Sequence, residues 1–274
     1  MSLRDALFQL PREHRDRLAA LALFEAGIVD LNVLAGLEEA TGLAREDWEE
    51  TLEAAAGVGL LSPALESIYR MEPGLAAVLL EFWRERARGA FEYEQEVAQA
   101  AVLRAWAVVG EWLGDQLGEE DDEIALEVLE LEAGALGAAA ARALDRRMFG
   151  EALSLLEPLN AYWTRTGSPE AQAWTARGLQ AVGEPELDSE AGALWFFLVG
   201  AEAGRLQRSG ALDEAEARYH LLRERLERSG SDWARVRLAA TYHQLLVLAH
   251  RKGDVHAAAD WQRKAESTAS GDDR

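Results

Sequence analysis

Cysteine is absent, lysine occurs only as Lys252 and Lys264, and proline fills 6 of 274 positions. Without a thiol there is no disulfide framework, no thiolate nucleophile and no sulfur-based zinc site. Both lysines follow an arginine, so no Gly-x-x-x-x-Gly-Lys-Ser/Thr phosphate loop exists. Acidic residues number 49 and the formal charge is −21, so a phosphate backbone meets net repulsion and nucleic acid is not an expected partner. No apolar run approaches the ~20 residues that span a bilayer. The start, Met1-Ser2-Leu3-Arg4-Asp5, lacks a signal-peptide core, so a cytoplasmic chain with no membrane partner is expected. Scarce proline and 49% hydrophobic residues suit long helices around a sizeable core.

What the chain does have is a repeated corner. Arg165-Thr166-Gly167, Arg208-Ser209-Gly210 and Arg251-Lys252-Gly253 recur 43 residues apart. An apolar-periodic helix leads into each, and a second helical pattern leaves it. A Gly just past a helix takes φ > 0 and caps it, and an Arg in the last turn suits the negative end of the helix dipole. Helix pairs at a fixed period of this size are the signature of an α-solenoid. The spacing predicts pairs at 151–166 with 169–182, 188–209 with 212–229, and 232–252 with 255–269. These resemble tetratricopeptide repeats, whose usual period is shorter. Ala215 and Ala258 match early in the second helices, where the first repeat has Gln172; Leu156, Val199 and Tyr242 match in the first helices.

Residues 1–88 read as a smaller domain. Helices are expected over 11–24, over 31–40 with Asp30 as cap and Gly42 as stop, and over 44–56 with Trp48, Leu52 and Ala55 facing inward. Val58–Leu61 and Ser67–Met71 then form a hairpin around a Ser62-Pro63 turn, and a further helix covers 74–86. Three helices followed by a hairpin is the order of a winged helix. Its third helix would enter the major groove of DNA, yet it carries Glu46, Asp47, Glu49, Glu50 and Glu53 against Arg45 alone, which argues for a structural role.

The stretch Gly57-Val58-Gly59-Leu60-Leu61 through Tyr69-Arg70-Met71-Glu72-Pro73-Gly74-Leu75 resembles the winged-helix subdomain of STAND proteins, the signal-transducing ATPases related to NB-ARC receptors. The resemblance covers about 80 residues. It implies a regulatory region that acts with the NTPase domain of a parent or partner protein. Many relatives have His-Pro after the second wing strand, the His facing bound nucleotide. Glu72-Pro73 stands here, and a carboxylate beside a diphosphate is unfavourable.

Residues 89–150 read as a helical junction. A helix over 90–117 sets Val97, Ala101, Ala105, Val108 and Trp112 at helical spacing, and an acidic break, Gly118 to Glu123, precedes an Ala-rich helix over 124–146. The break lacks the spacing and internal Gly of a calcium loop, and its carboxylates suit a helix N-terminus. The Ala-rich helix and Leu153–Trp163 also look like the STAND pattern, with Ala135 near the place of a common Asn. Pro158 is expected to kink the latter segment or restart it.

In such a stack the first helix of each pair lines the concave face. The period places Glu157, Thr164 and Arg165 there, then Gln207 and Arg208, then His243, His250 and Arg251. These form a groove suited to a protein or peptide ligand bearing carboxylates, with Arg pairing bidentately; the competing reading is that each Arg only caps its helix. Of the nine tryptophans, most are expected in the core. No Gly-x-Ser-x-Gly or His-Glu-x-x-His occurs, and the five histidines lack ligand spacing, so no catalytic residue, metal or cofactor is expected. The expected fold is mainly α: a winged-helix-like domain (1–88), the junction (89–150) and a right-handed tetratricopeptide-like α-solenoid (151–274). The expected function is a non-catalytic protein- or peptide-binding sensor module of a STAND-type signalling protein; a free-standing adaptor bridging two proteins is the alternative.

Overall fold

The computed structural model describes residues 2–24, 26–117 and 122–270. It is mainly helical with one small sheet. Two compact units emerge: Met1–Ala143 with Ser154–Leu159, and Leu144–Leu153 with Asn160–Arg274. Most of the 89–150 stretch thus belongs with the first unit.

In the first unit, α1 (Leu3–Gln9) opens on a capping box in which the Ser2 hydroxyl accepts from the Asp5 amide and the Asp5 carboxylate accepts from the Ser2 amide. The helix expected over 11–24 is α2 (Arg12–Leu18) running into a 3-10 turn, Ala19–Leu23. Ala19, Leu21, Ala22 and Leu23 are all buried, which one stripe of an α-helix does not achieve. Strand β1 (Ile28–Asp30) leads into α3 (Leu31–Ala35), and Asp30 caps that helix by accepting from the Asn32 amide at 2.8 Å. The expected 31–40 helix breaks after Ala35; α4 (Glu38–Thr41) follows and ends at Gly42, whose φ is 69°. Helix α5 (Arg45–Gly57) buries Trp48, Leu52 and Ala55 as its spacing implied.

Strands β2 (Leu61–Pro63) and β3 (Ile68–Met71) pair antiparallel, Leu61 against Met71 and Pro63 against Tyr69. Ser62 and Pro63 therefore lie in the strand and not in the turn. The strand order is β1-β3-β2, so β2 is an edge, where a residue lacking an N–H is tolerated. Helix α6 (Leu75–Ala87) precedes α7 (Phe91–Gln116) and α8 (Glu123–Asp145). Of the acidic break, Gly118–Asp121 lie outside the described residues.

Helix α7 departs from its sequence stripe. Val102, Leu103, Ala105, Trp106, Val109 and Leu113 are buried, whereas Val97, Val108 and Trp112 are exposed. Apolar residues occur around most of this helix, so periodicity alone did not select the inward face.

Helix α9 (Phe149–Thr166) runs on through Pro158. The ring removes the donor that would reach the Ser154 carbonyl one turn back. That carbonyl packs against Gly110 of α7: a Cβ there would stand 2.5 Å from the Ser154 oxygen. The restart expected at Pro158 does not occur.

The second unit continues with α10 (Glu170–Val182), α11 (Glu190–Ser209), α12 (Leu212–Ser229), α13 (Asp232–Lys252) and α14 (Val255–Ser270). Gly167, Gly210 and Gly253 close α9, α11 and α13 with φ of 69°, 87° and 75°. At each corner the residue after Gly donates to a carbonyl in the last turn: Ser168 to Trp163, Ala211 to Leu206, Asp254 to Ala249, at 2.8–3.0 Å. This is the Schellman closure, and it explains the repeated Gly. Ala215 and Ala258 are buried, and so are Leu156, Val199 and Tyr242. In the first pair Gln172 is exposed and Ala171 takes the buried small-residue place, one position earlier.

Candidate functional site

One concavity of the second unit follows from two glycines inside a helix. Along α11, Phe196, Gly200, Gly204 and Arg208 recur every four residues and share one face. Gly costs about 1 kcal/mol relative to Ala in a helix interior, so a pair at this spacing marks a place where side chains are missing. A Cβ on Gly200 would meet nothing within 4 Å. The notch opens into a groove of about 460 Å³. Tyr219 and Leu222 of α12 form its floor; Ala240, Thr241, Gln244 and Arg251 of α13 form the opposite wall.

Three of the six site residues expected from the sequence meet here: Gln207, Arg208 and Arg251. The Tyr219 hydroxyl lies 3.5 Å from Gln207 Oε1 and donates to it. Burial pushes the Tyr219 phenol above its ordinary value, and the Arg208 charge draws it partly back. Arg251 Nη1 donates to the Gln207 carbonyl at 2.8 Å, so this Arg satisfies the end of α11 and not of its own helix. Among the described residues neither Arg208 nor Arg251 has a carboxylate within salt-bridge range. Arg205 stands close behind: Nη1 donates to Asn160 Oδ1 at 3.0 Å and Nη2 to Thr175 Oγ1 at 2.6 Å. Burial lowers the Arg205 pKa, Glu202 opposes that, and the Arg208 charge adds to it. Glu202 is itself 2.8 Å from Arg218. A local excess of guanidinium thus forms on a chain of charge −21.

The other three expected residues lie elsewhere. His243 and His250 are exposed and share a face of α13, as their spacing of seven implies, but that face is turned about 100° from the Gln244–Arg251 stripe. Arg165 is exposed at the end of α9, outside the groove lining, and has partners of its own. Glu157 is likewise exposed outside the lining, and the buried Thr164 hydroxyl has no partner. Lys252 does not face the groove either; its ammonium pairs with Asp213 at 2.6 Å and Glu216 at 2.8 Å.

Sequence reasoning missed Phe196, Gly200, Gly204, Tyr219, Thr241 and Gln244. Gly200 and Gly204 were the readable signal, because unneeded glycines at i and i+4 are costly in a helix. The tryptophans behave mainly as packing: Trp163 and Trp195 are buried, Trp163 stacks on Trp174 at 5.9 Å, and Trp261 stacks on Tyr242 at 5.8 Å. Among the described residues no group of three or more His, Asp or Glu side chains is placed to hold a metal ion, and no helix is long and apolar enough to cross a membrane. Comparison of the chain with protein-family models, curated proteins and solved structures gives no match.

Proposed function

We propose that the helix pairs of the second unit are a tetratricopeptide-like docking module for a peptide or protein segment bearing carboxylates. The observation that carries this reading is the notch at Gly200 and Gly204, flanked by Arg208 and Arg251 with Gln207 and Gln244. An extended acidic segment would place a side chain over the glycines and a carboxylate against Arg208, whose planar fork suits two-point recognition. The first unit, in our reading, is a winged-helix-like regulatory element of a STAND-type signalling protein that works with an NTPase domain supplied elsewhere. The chain itself is non-catalytic. Against DNA stands the acidic α5, whose single Arg45 is held by Glu49 and Asn32.

The test is an array of acidic and neutral peptides probed with the full chain. Acidic peptides are expected to bind, their amidated forms to lose about tenfold, and Arg208→Ala to abolish the distinction. Gly200→Leu fills the notch where there is open space, so it should block binding and leave the thermal transition in place. Binding that ignores both Arg208→Ala and Gly200→Leu would remove the groove from consideration.

A further inference from the structure

The first unit contains a larger cavity, about 660 Å³, between α7, the start of α8 and the β1–α3 corner. That volume lies within the range of small-ligand pockets. One wall is apolar: Val108, Trp112 and Ile124 converge from two helices, with exposures of 64%, 46% and 65%. Large apolar side chains left this open, and gathered on one concavity, mark a binding surface more often than an accident of packing.

The opposite wall is acidic and has a defined deep point. Asp30 lines the cavity although only 2% exposed. Its Oδ1 accepts from the Asn32 amide at 2.8 Å and from Asn32 Nδ2 at 2.9 Å, both neutral donors. Among the described residues no donor reaches its other oxygen, Oδ2. Close enough to feel its charge is Glu132 of α8, fully buried, with neither carboxylate oxygen hydrogen-bonded. Burial raises both carboxyls above their ordinary range, and the charge of Asp30 raises Glu132 further. The positive charge acting on Asp30 comes from Arg45 of α5 and is the smallest influence on it. Glu66 and Glu127 add carboxylates to the lining against one guanidinium, Arg104. A buried carboxylate with one oxygen free of donors, reached by an apolar cavity, is complementary to an organic cation.

We infer that this cavity is a site for a small organic amine: an ammonium group seated on Asp30 Oδ2, and an aromatic or aliphatic body lying against Val108, Trp112 and Ile124. The ammonium supplies the donor that Oδ2 lacks, and the indole of Trp112 offers a face for the charge or the ring. This inference is independent of the groove in the helix pairs, since no residue is shared.

Tryptamine is a suitable probe, titrated into the full chain by calorimetry beside tryptophol, its neutral counterpart with a hydroxyl in place of the amine. Tryptamine should bind at one site, and tryptophol about tenfold more weakly or less. Asp30→Asn preserves the cap on α3, because Asn caps as well as Asp, yet removes the charge; it should reduce tryptamine affinity about tenfold and bring it to the level of tryptophol. Trp112→Ala, at an open position, should weaken both ligands while leaving the circular dichroism spectrum unchanged. No heat from tryptamine at millimolar concentration, equal affinity for tryptophol, or an unaltered affinity in Asp30→Asn would each overturn the assignment.

Discussion

Glu132→Gln should make the first unit more stable, and by an amount that grows with pH. Glu132 is fully buried, neither oxygen has a partner, and burial with the nearby Asp30 charge pushes its pKa from 4.5 up to about 9. Between those values the folded chain holds a proton that the unfolded chain has released. Unfolded Glu therefore binds fewer protons, and stability falls by about 1.4 kcal/mol for each unit of rising pH. The contribution is intact below pH 4.5 and is lost progressively toward pH 9. At pH 7 the deficit is on the order of 3 kcal/mol, a large share of a domain's net stability. Gln carries no such proton, so the variant should match wild type near pH 4 and exceed it by roughly 5 kcal/mol near pH 8. Asp30, also raised by burial, adds a slope of the same sign in both proteins, and His220, lowered by burial, adds one of the opposite sign. Neither enters the difference unless Asp30 responds to the substitution itself. Urea denaturation across that pH range, with amide exchange in α5 reporting on the first unit alone, makes the comparison. Glu132→Leu removes the orphaned polar atoms as well and should be more stable throughout. Parallel pH profiles for wild type and Glu132→Gln would show that Glu132 is ionised and solvated in the folded chain, and would refute the reasoning.

Two other substitutions read packing directly. Gly110→Ala sets a methyl 2.5 Å from the Ser154 carbonyl oxygen, a backbone atom that has no side-chain freedom to yield, and should cost about 1–3 kcal/mol by chemical denaturation. Gly210→Ala puts a Cβ at φ 87°, and should cost about 1 kcal/mol, whereas Gly210→Asn should recover part of it because Asn tolerates the left-handed region.

The helix pairs were legible because their ends are marked. Gly167, Gly210 and Gly253 fix the corners, and Ser189 and Ser231 accept from Gly192 and Ala234 amides at the starts of α11 and α13. Capping is local chemistry, readable within a few residues. Strand β1 was not legible, since three buried residues before a helix have no period to read. The inward face of α7 escaped for the opposite reason, an excess of apolar positions. Of the groove, the arginines showed through their repetition, but their neighbours did not: Tyr219 and Thr241 reach it from different helices, and only packing decides that Gln244 faces the notch while His243 does not. Asp30 and Glu132 sit on elements far apart in the chain, and no local pattern announces two carboxyls that will share a field.

Arg251 has a double allegiance. Its guanidinium frames the groove and at the same time ties α13 to the last turn of α11 through the Gln207 carbonyl. An anion that drew Nη1 off that carbonyl would leave it only the long bond from the Gly210 amide, 3.4 Å, so filling the groove would loosen a tie between the two helices.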